Sequence, residues 1–211
     1  MTKDKITDKY IKAVQKQFKH YHTTDARFIS DLKDVPVLMS NMDKDSELSQ
    51  FFNEYWKFVK EFLNGKEEQR EKEYWDELVS RSQEMSEKYN GQYKQFCIEL
   101  LLSLIAEIER RDREERQSCK NGLQIKLIKS DTGKNSKLFQ FFSEYWKMIK
   151  DFLNGKDGHR EKDYWNEIAK TSFQITKKYN EKFERDIVNG LIEEIKRRDH
   201  KECEMFRKQI A

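Results

Sequence analysis

FFNEYWKFVKEFLNGK, residues 51–66, returns as FFSEYWKMIKDFLNGK at residues 141–156, ninety positions further along a chain of 211 residues. Apolar residues recur in steps of three and four within it. Leu48, Phe51, Phe52, Tyr55, Val59, Phe62 and Leu63 therefore share one face of a helix with about 3.6 residues per turn. Asn64-Gly65 follows directly, and a glycine that can turn left-handed is a common helix stop. The stretch reads as an amphipathic helix with a defined end, written twice.

The repetition extends beyond this helix. VPVLMSNMDKDSEL (35–48) aligns with IKLIKSDTGKNSKL (125–138), REKEYWDEL (70–78) with REKDYWNEI (160–168), and EKYN (87–90) with KKYN (177–180). After Asn90 the register shortens by three, close to one helical turn, so that IAEIERRD (105–112) faces IEEIKRRD (192–199). Tyr74, Trp75, Leu78, Ser82, Met85 and Tyr89 define a second helical face. Tyr93, Phe96, Cys97, Leu100, Leu101, Leu104, Ile105 and Ile108 define a third.

The expected fold is all-α: an internal duplication of a three-helix unit, giving two tandem helical bundles. The expected divisions are an N-terminal helical extension at 1–34, a first repeat at 35–112, a linker at 113–124 and a second repeat at 125–211. The extension carries a stripe of Ile6, Tyr10, Ala13, Val14 and Phe18, then caps at Thr24 or Asp25 for a second short helix. Ahead of each repeat lies a segment without helical period, VPVLMS (35–40) and LQIKLIKS (123–130). Two readings fit it: short strands that pair with each other across a pseudo-twofold axis, or extended linkers.

Charged residues make up 38% of the chain against one proline and seven glycines, which favours long solvated helices over a turn-rich β fold. The longest apolar run, Cys97 to Ile108, is interrupted by Glu99 and Glu107 and is too short to span a bilayer. MTKDKITDKY has no hydrophobic leader character, and Cys97, Cys119 and Cys203 are odd in number and scattered. Both features point to a reducing cytoplasm without a disulfide or zinc framework, and with no membrane partner. Abundant Lys, Asn, Ile, Phe and Tyr suggest an AT-rich genome, such as that of a low-GC bacterium or its phage.

No catalytic, cofactor or metal signature stands out. His20 and His22 are two apart and do not face each other on a helix, while His159 and His200 replace Gln69 and Arg113 of the first repeat. Carboxylate pairs such as Glu71 with Glu77 and Glu161 with Glu167 alternate with Lys and Arg, the pattern of a solvated face. NGK at 64–66 and 154–156 lacks the second glycine and preceding strand of a phosphate loop and reads as a helix end. The expectation is a protein that is not an enzyme and holds no cofactor or metal.

Surface charge separates the two repeats. Residues 35–112 hold 11 basic and 17 acidic side chains, net −6, whereas residues 113–211 hold 23 and 17, net +6. Solvated charge contributes little to folding, so divergence of this size points to partners or to docking of one repeat on the other. The candidate protein-binding surface is the four tryptophans of the Tyr-Trp pairs, Trp56, Trp75, Trp146 and Trp165, with the basic residues Lys178, Lys182, Arg185, Arg197 and Arg198. The competing reading of those tryptophans is a core between the first two helices of each repeat.

In composition and in its lack of catalytic motifs the chain resembles small helical proteins of phages and mobile elements, many of which bind and inhibit a host or defence protein. The function expected is a protein-binding module that acts by steric occlusion or scaffolding. The alternative is nucleic-acid binding through the basic second repeat, against which stand the interleaved Glu181, Glu184, Glu193, Glu194 and Glu202. Self-association is a third reading, raised by the duplication.

Overall fold

A computed structural model describes residues 35–65, 70–119, 127–155, 160 and 162–210. Among them the chain forms six helices: α1 Glu47–Phe62, α2 Lys72–Lys88, α3 Lys94–Cys119, α4 Lys137–Phe152, α5 Lys162–Tyr179 and α6 Lys182–Ile210. No strand occurs among the described residues. The helices expected within 1–34, the pair His20 and His22, and the lysines Lys66 and Lys156 lie outside the described residues.

Local chemistry explains the helix ends. Ser46 and Ser136 cap α1 and α4, each hydroxyl accepting a hydrogen bond from an amide three residues on, Ser49 at 3.2 Å and Phe139 at 3.0 Å. Both helices stop where the sequence places glycine: Gly65 and Gly155 have φ of +71°, which an L side chain adopts only with strain. A Cβ on Gly65 would also lie 3.3 Å from Leu127 Cδ1, so the turn is closely covered.

The two sets of three helices close over one continuous core. Tyr55 and Tyr145 are fully buried, yet neither hydroxyl is orphaned: Tyr55 donates to the Leu100 carbonyl at 2.7 Å and Tyr145 to that of Ile187 at 3.0 Å. Tyr74 and Tyr164 likewise donate to the carbonyls of Phe62 and Phe152, at 2.5 Å and 2.6 Å. Each such contact recurs about ninety residues further on.

Two seams join the sets. α3 and α6 run antiparallel along each other: Gly190 lies against Leu100, Arg197 reaches Glu99, and Arg198 lies over the ring of Tyr93. α1 meets α4 through aromatic rings, with Trp56 against Phe142 and Trp146 against Phe52, each at 4.9 Å between ring centroids. α3 continues through 113–119, the start of the segment expected as a linker, where Arg110 pairs with Glu114 and Arg116 with Asp112 one turn apart.

Of the two readings of the lead-in segments, the strand pairing is not formed among the described residues. Residues 35–40 and 127–130, the described parts of those segments, form no strand, and each hydrogen-bonds to the other set of helices. The Leu38 amide donates to Glu202 on α6 at 2.8 Å, and Ser40 exchanges two hydrogen bonds with Asn154 at 2.7 and 2.9 Å. Conversely, the Ile128 amide donates to Glu115 on α3 at 2.7 Å, and Ser130 exchanges two with Asn64 at 2.7 and 2.9 Å. Side chains thus satisfy the backbone groups that a strand partner would otherwise have taken.

Candidate functional site

The lead-in segments are held by buried charge. On α6, Glu202 accepts from Arg160 at 2.9 and 3.1 Å, and both side chains are almost fully buried. Arg160 also donates to the Leu153 and Phe152 carbonyls and to the Tyr164 hydroxyl. Burial alone would lower its pKa, but the hydrogen bond to Glu202 together with the charges of Tyr164, Glu202 and Asp199 outweighs this and the net shift is upward. Arg70 pairs with Glu115 in the same way beside Ile128.

A second layer sits about two helical turns earlier. Glu194 accepts from Arg197 and Arg198, and Arg198 continues to Ser40 Oγ at 2.5 Å. Its counterpart Glu107 accepts from Arg110 and Arg111, and Arg111 continues to Ser130 Oγ at 2.8 Å. Burial pushes the Glu107 carboxyl upward, but the hydrogen bonds and the positive charges of Arg110 and Arg111 together outweigh this and hold it below the usual range.

These arrangements decide where the expected surface residues lie. Arg198 is buried and Arg197 bridges Glu99 of α3 at 2.7 and 3.0 Å, so both serve the joint between the two sets. Trp165 is buried edge-on to Tyr164; Trp56, Trp75 and Trp146 are half-buried against the core. Lys178 is exposed, pairs with Glu144 at 2.5 Å and lies over Tyr179, while exposed Lys182 pairs with Asp186. Arg185 donates to the Asn180 carbonyl at 3.2 Å. The structure does not gather these residues into one patch.

A groove of about 660 Å³ does open between α4 and α5. Met148, Phe152 and Ile175 form its buried floor; Glu144, Asp151, Glu167 and Lys178 stand along its sides with Thr171 between them. At the matching place between α1 and α2 stands Arg81. Its guanidinium donates to Glu61 at 2.5 Å, lies 3.6 Å from Glu77, and covers the rings of Phe62 and Phe58 at 5.1 and 5.5 Å. At the corresponding positions α4 and α5 carry Thr171 for Arg81, Asp151 for Glu61 and Met148 for Phe58, each a shorter or smaller side chain.

The sequence reading did not find this groove, although Arg81/Thr171, Glu61/Asp151 and Phe58/Met148 are among the positions where the repeated pattern differs. Among the described residues no three His, Cys, Asp or Glu side chains gather to hold a metal ion, and no helix is long and apolar enough to cross a membrane. His200, an exposed residue, lies 3.3 Å from Glu204 one turn along α6. No protein-family model, curated protein or solved structure matches the chain at a significant level.

Proposed function

We propose that the chain is a non-enzymatic protein-binding module, built by duplication of a three-helix unit whose lead-in segments are exchanged between the two copies. Its action is steric: a helical body joined by buried ion pairs occupies a partner surface, as an occluding subunit or a scaffold. One observation supports this above others. Two matching helix pairs share their packing but differ in surface: Arg81 covers Phe58 and Phe62 between α1 and α2, while the α4/α5 groove is open over Met148, Phe152 and Ile175. An open groove with an apolar floor and charged sides suits a protein side chain or helix edge.

Nucleic acid is the less favoured ligand, because Arg197 and Arg198 of the basic half are engaged by Glu99 and Glu194 and its groove is edged by Asp151 and Glu167. Affinity capture with the full chain tests the proposal. The expected result is a stoichiometric protein retained at moderate salt. Retention of nucleic acid that weakens steeply as salt rises, or retention of nothing, overturns it.

A further inference from the structure

Independently of the partner reading, we infer that the outer face of α5 and α6 is a docking surface for the chain's own N-terminal segment, residues 1–34. The segment lies on it through the apolar stripe of Ile6, Tyr10, Val14 and Phe18. Comparison of the two halves carries the argument. On the α2/α3 face Trp75 and Ile105 are half-buried and Glu109 is exposed, whereas their counterparts Trp165, Ile192 and Lys196 are only 8%, 8% and 9% exposed. Lys196 is two positions from both Glu194 and Arg198, which face the joint between the halves, so it stands on the opposite side of α6. Burial on that side requires chain laid over it.

Residues 1–34 are the part of the chain that meets this requirement. The segments 66–69 and 156–159 correspond to each other and do not set the halves apart. Residues 120–126 run from α3 to Leu127, and the Ile128 amide beyond them is bound to Glu115 of α3 again. Residues 1–34 have no counterpart, and they join the described chain at Val35, three residues before the Leu38 amide that donates to Glu202. The segment thus arrives beside Cys203, at one end of the face. As a helix, Ile6 to Phe18 would span about 18 Å, against about 16 Å along α6 from Ile192 to Cys203.

Differences between the halves suit a covered face. Cys203 stands where the first half has Arg116, Phe173 where it has Gln83, and the smaller Ala169 where it has Val79. Lys196 is the cation within the face: its stem lies under the cover while its ammonium reaches Glu193 at 2.6 Å. Around it stand Lys170 and Lys177 of α5 with Glu193, Asp199 and Arg207 of α6. Both signs are present, so apolar area selects the occupant and charge does not.

The experiment uses the full chain with p-benzoylphenylalanine in place of Phe18, a photocrosslinker that keeps the apolar ring, mixed with isotope-labelled chain to tell links within a chain from links between chains. Irradiation and peptide mapping are expected to give links within the chain, into 165–173 of α5 or 192–203 of α6. Links into the α2/α3 face around Val79 and Leu102, links only between chains, or no link overturn the inference. A second measurement follows alkylation of Cys203 under native conditions, with Arg116→Cys placing a reference thiol at the equivalent position of the first half. Cys203 is expected to react about ten-fold more slowly than that thiol, and Phe18→Asp to remove most of the difference. Equal rates at the two positions while Phe18 is kept, or an unchanged difference in a folded Phe18→Asp chain, also overturn it. If Phe18→Asp does not fold, the crosslinks and the rates measured with Phe18 in place decide.

Discussion

Arg160 and Glu202 form one of the two most enclosed ion pairs described, and each has further work: Glu202 holds the Leu38 amide while Arg160 reaches the carbonyls of Phe152 and Leu153. Removing one partner leaves the other charge buried without compensation, so Glu202→Ala is expected to cost about 3–5 kcal/mol. Replacing both, as Arg160→Met with Glu202→Leu, should recover much of that loss, because two matched apolar groups carry no desolvation penalty. Urea denaturation of the two single variants and the double variant measures the coupling; additive losses would show that the pair acts through separate contacts. These residues were visible in the sequence without their role being legible. Arg70 and Arg160 occupy equivalent positions of the repeat, and Glu115 and Glu202 do so once the three-residue slip is counted. A charged residue on a helix is ordinarily solvated, however, and only the packing of α3 against α6 and of the lead-in segments puts these inside.

At the scale of an element, the lead-in segments depend on two asparagines. Asn64 and Asn154 each exchange two hydrogen bonds with a serine of the other half, and Asn64→Ala is expected to cost about 2 kcal/mol by leaving the Ser130 amide and carbonyl without that partner. Hydrogen exchange at the Ser130 amide should accelerate while exchange within α5 stays unchanged; equal acceleration in both would point to global loss. α6 carries a different liability. Burial lifts the Asp199 carboxyl from 3.8 to about 6, with Arg160 opposing, Glu202 adding and His200 opposing. The folded chain therefore holds that proton more tightly than the unfolded chain, so the associated stability is fully present below 3.8 and is lost as the pH rises through about 6. The melting temperature of the natural chain relative to Asp199→Asn should fall between about pH 4 and 7, and a constant difference would refute the assignment. Periodicity made α1 to α6 legible as helices, including the glycine stops, because each signal is local. The fate of 35–40 and 127–130 was not legible: their partners Glu202, Asn154, Glu115 and Asn64 are distant in sequence or lie on a preceding helix.

For the whole molecule, exchange of the lead-in segments means that neither half completes itself. Leu38 and Ser40 satisfy polar groups of α6 and the α4 end, Ile128 and Ser130 those of α3 and the α1 end, and the Trp56–Phe142 and Trp146–Phe52 contacts cross between the same sets. The opposed net charges of the two repeats, which suggested docking from sequence alone, are expressed at this joint by Arg197 of α6 on Glu99 of α3. Association through such a joint does not depend on the covalent connection between α3 and α4. A protease site inserted between Gly122 and Leu123 offers a direct check. After cleavage the two fragments should still elute together in gel filtration, and fluorescence and circular dichroism should report one coincident unfolding midpoint. Adding Glu99→Ala to the cleaved chain removes the Arg197 bridge and should lower that midpoint while leaving the fragments associated, because the apolar α3/α6 seam and the exchanged segments remain. Fragments that separate on cleavage, or two distinct midpoints, would show that each half is complete in itself.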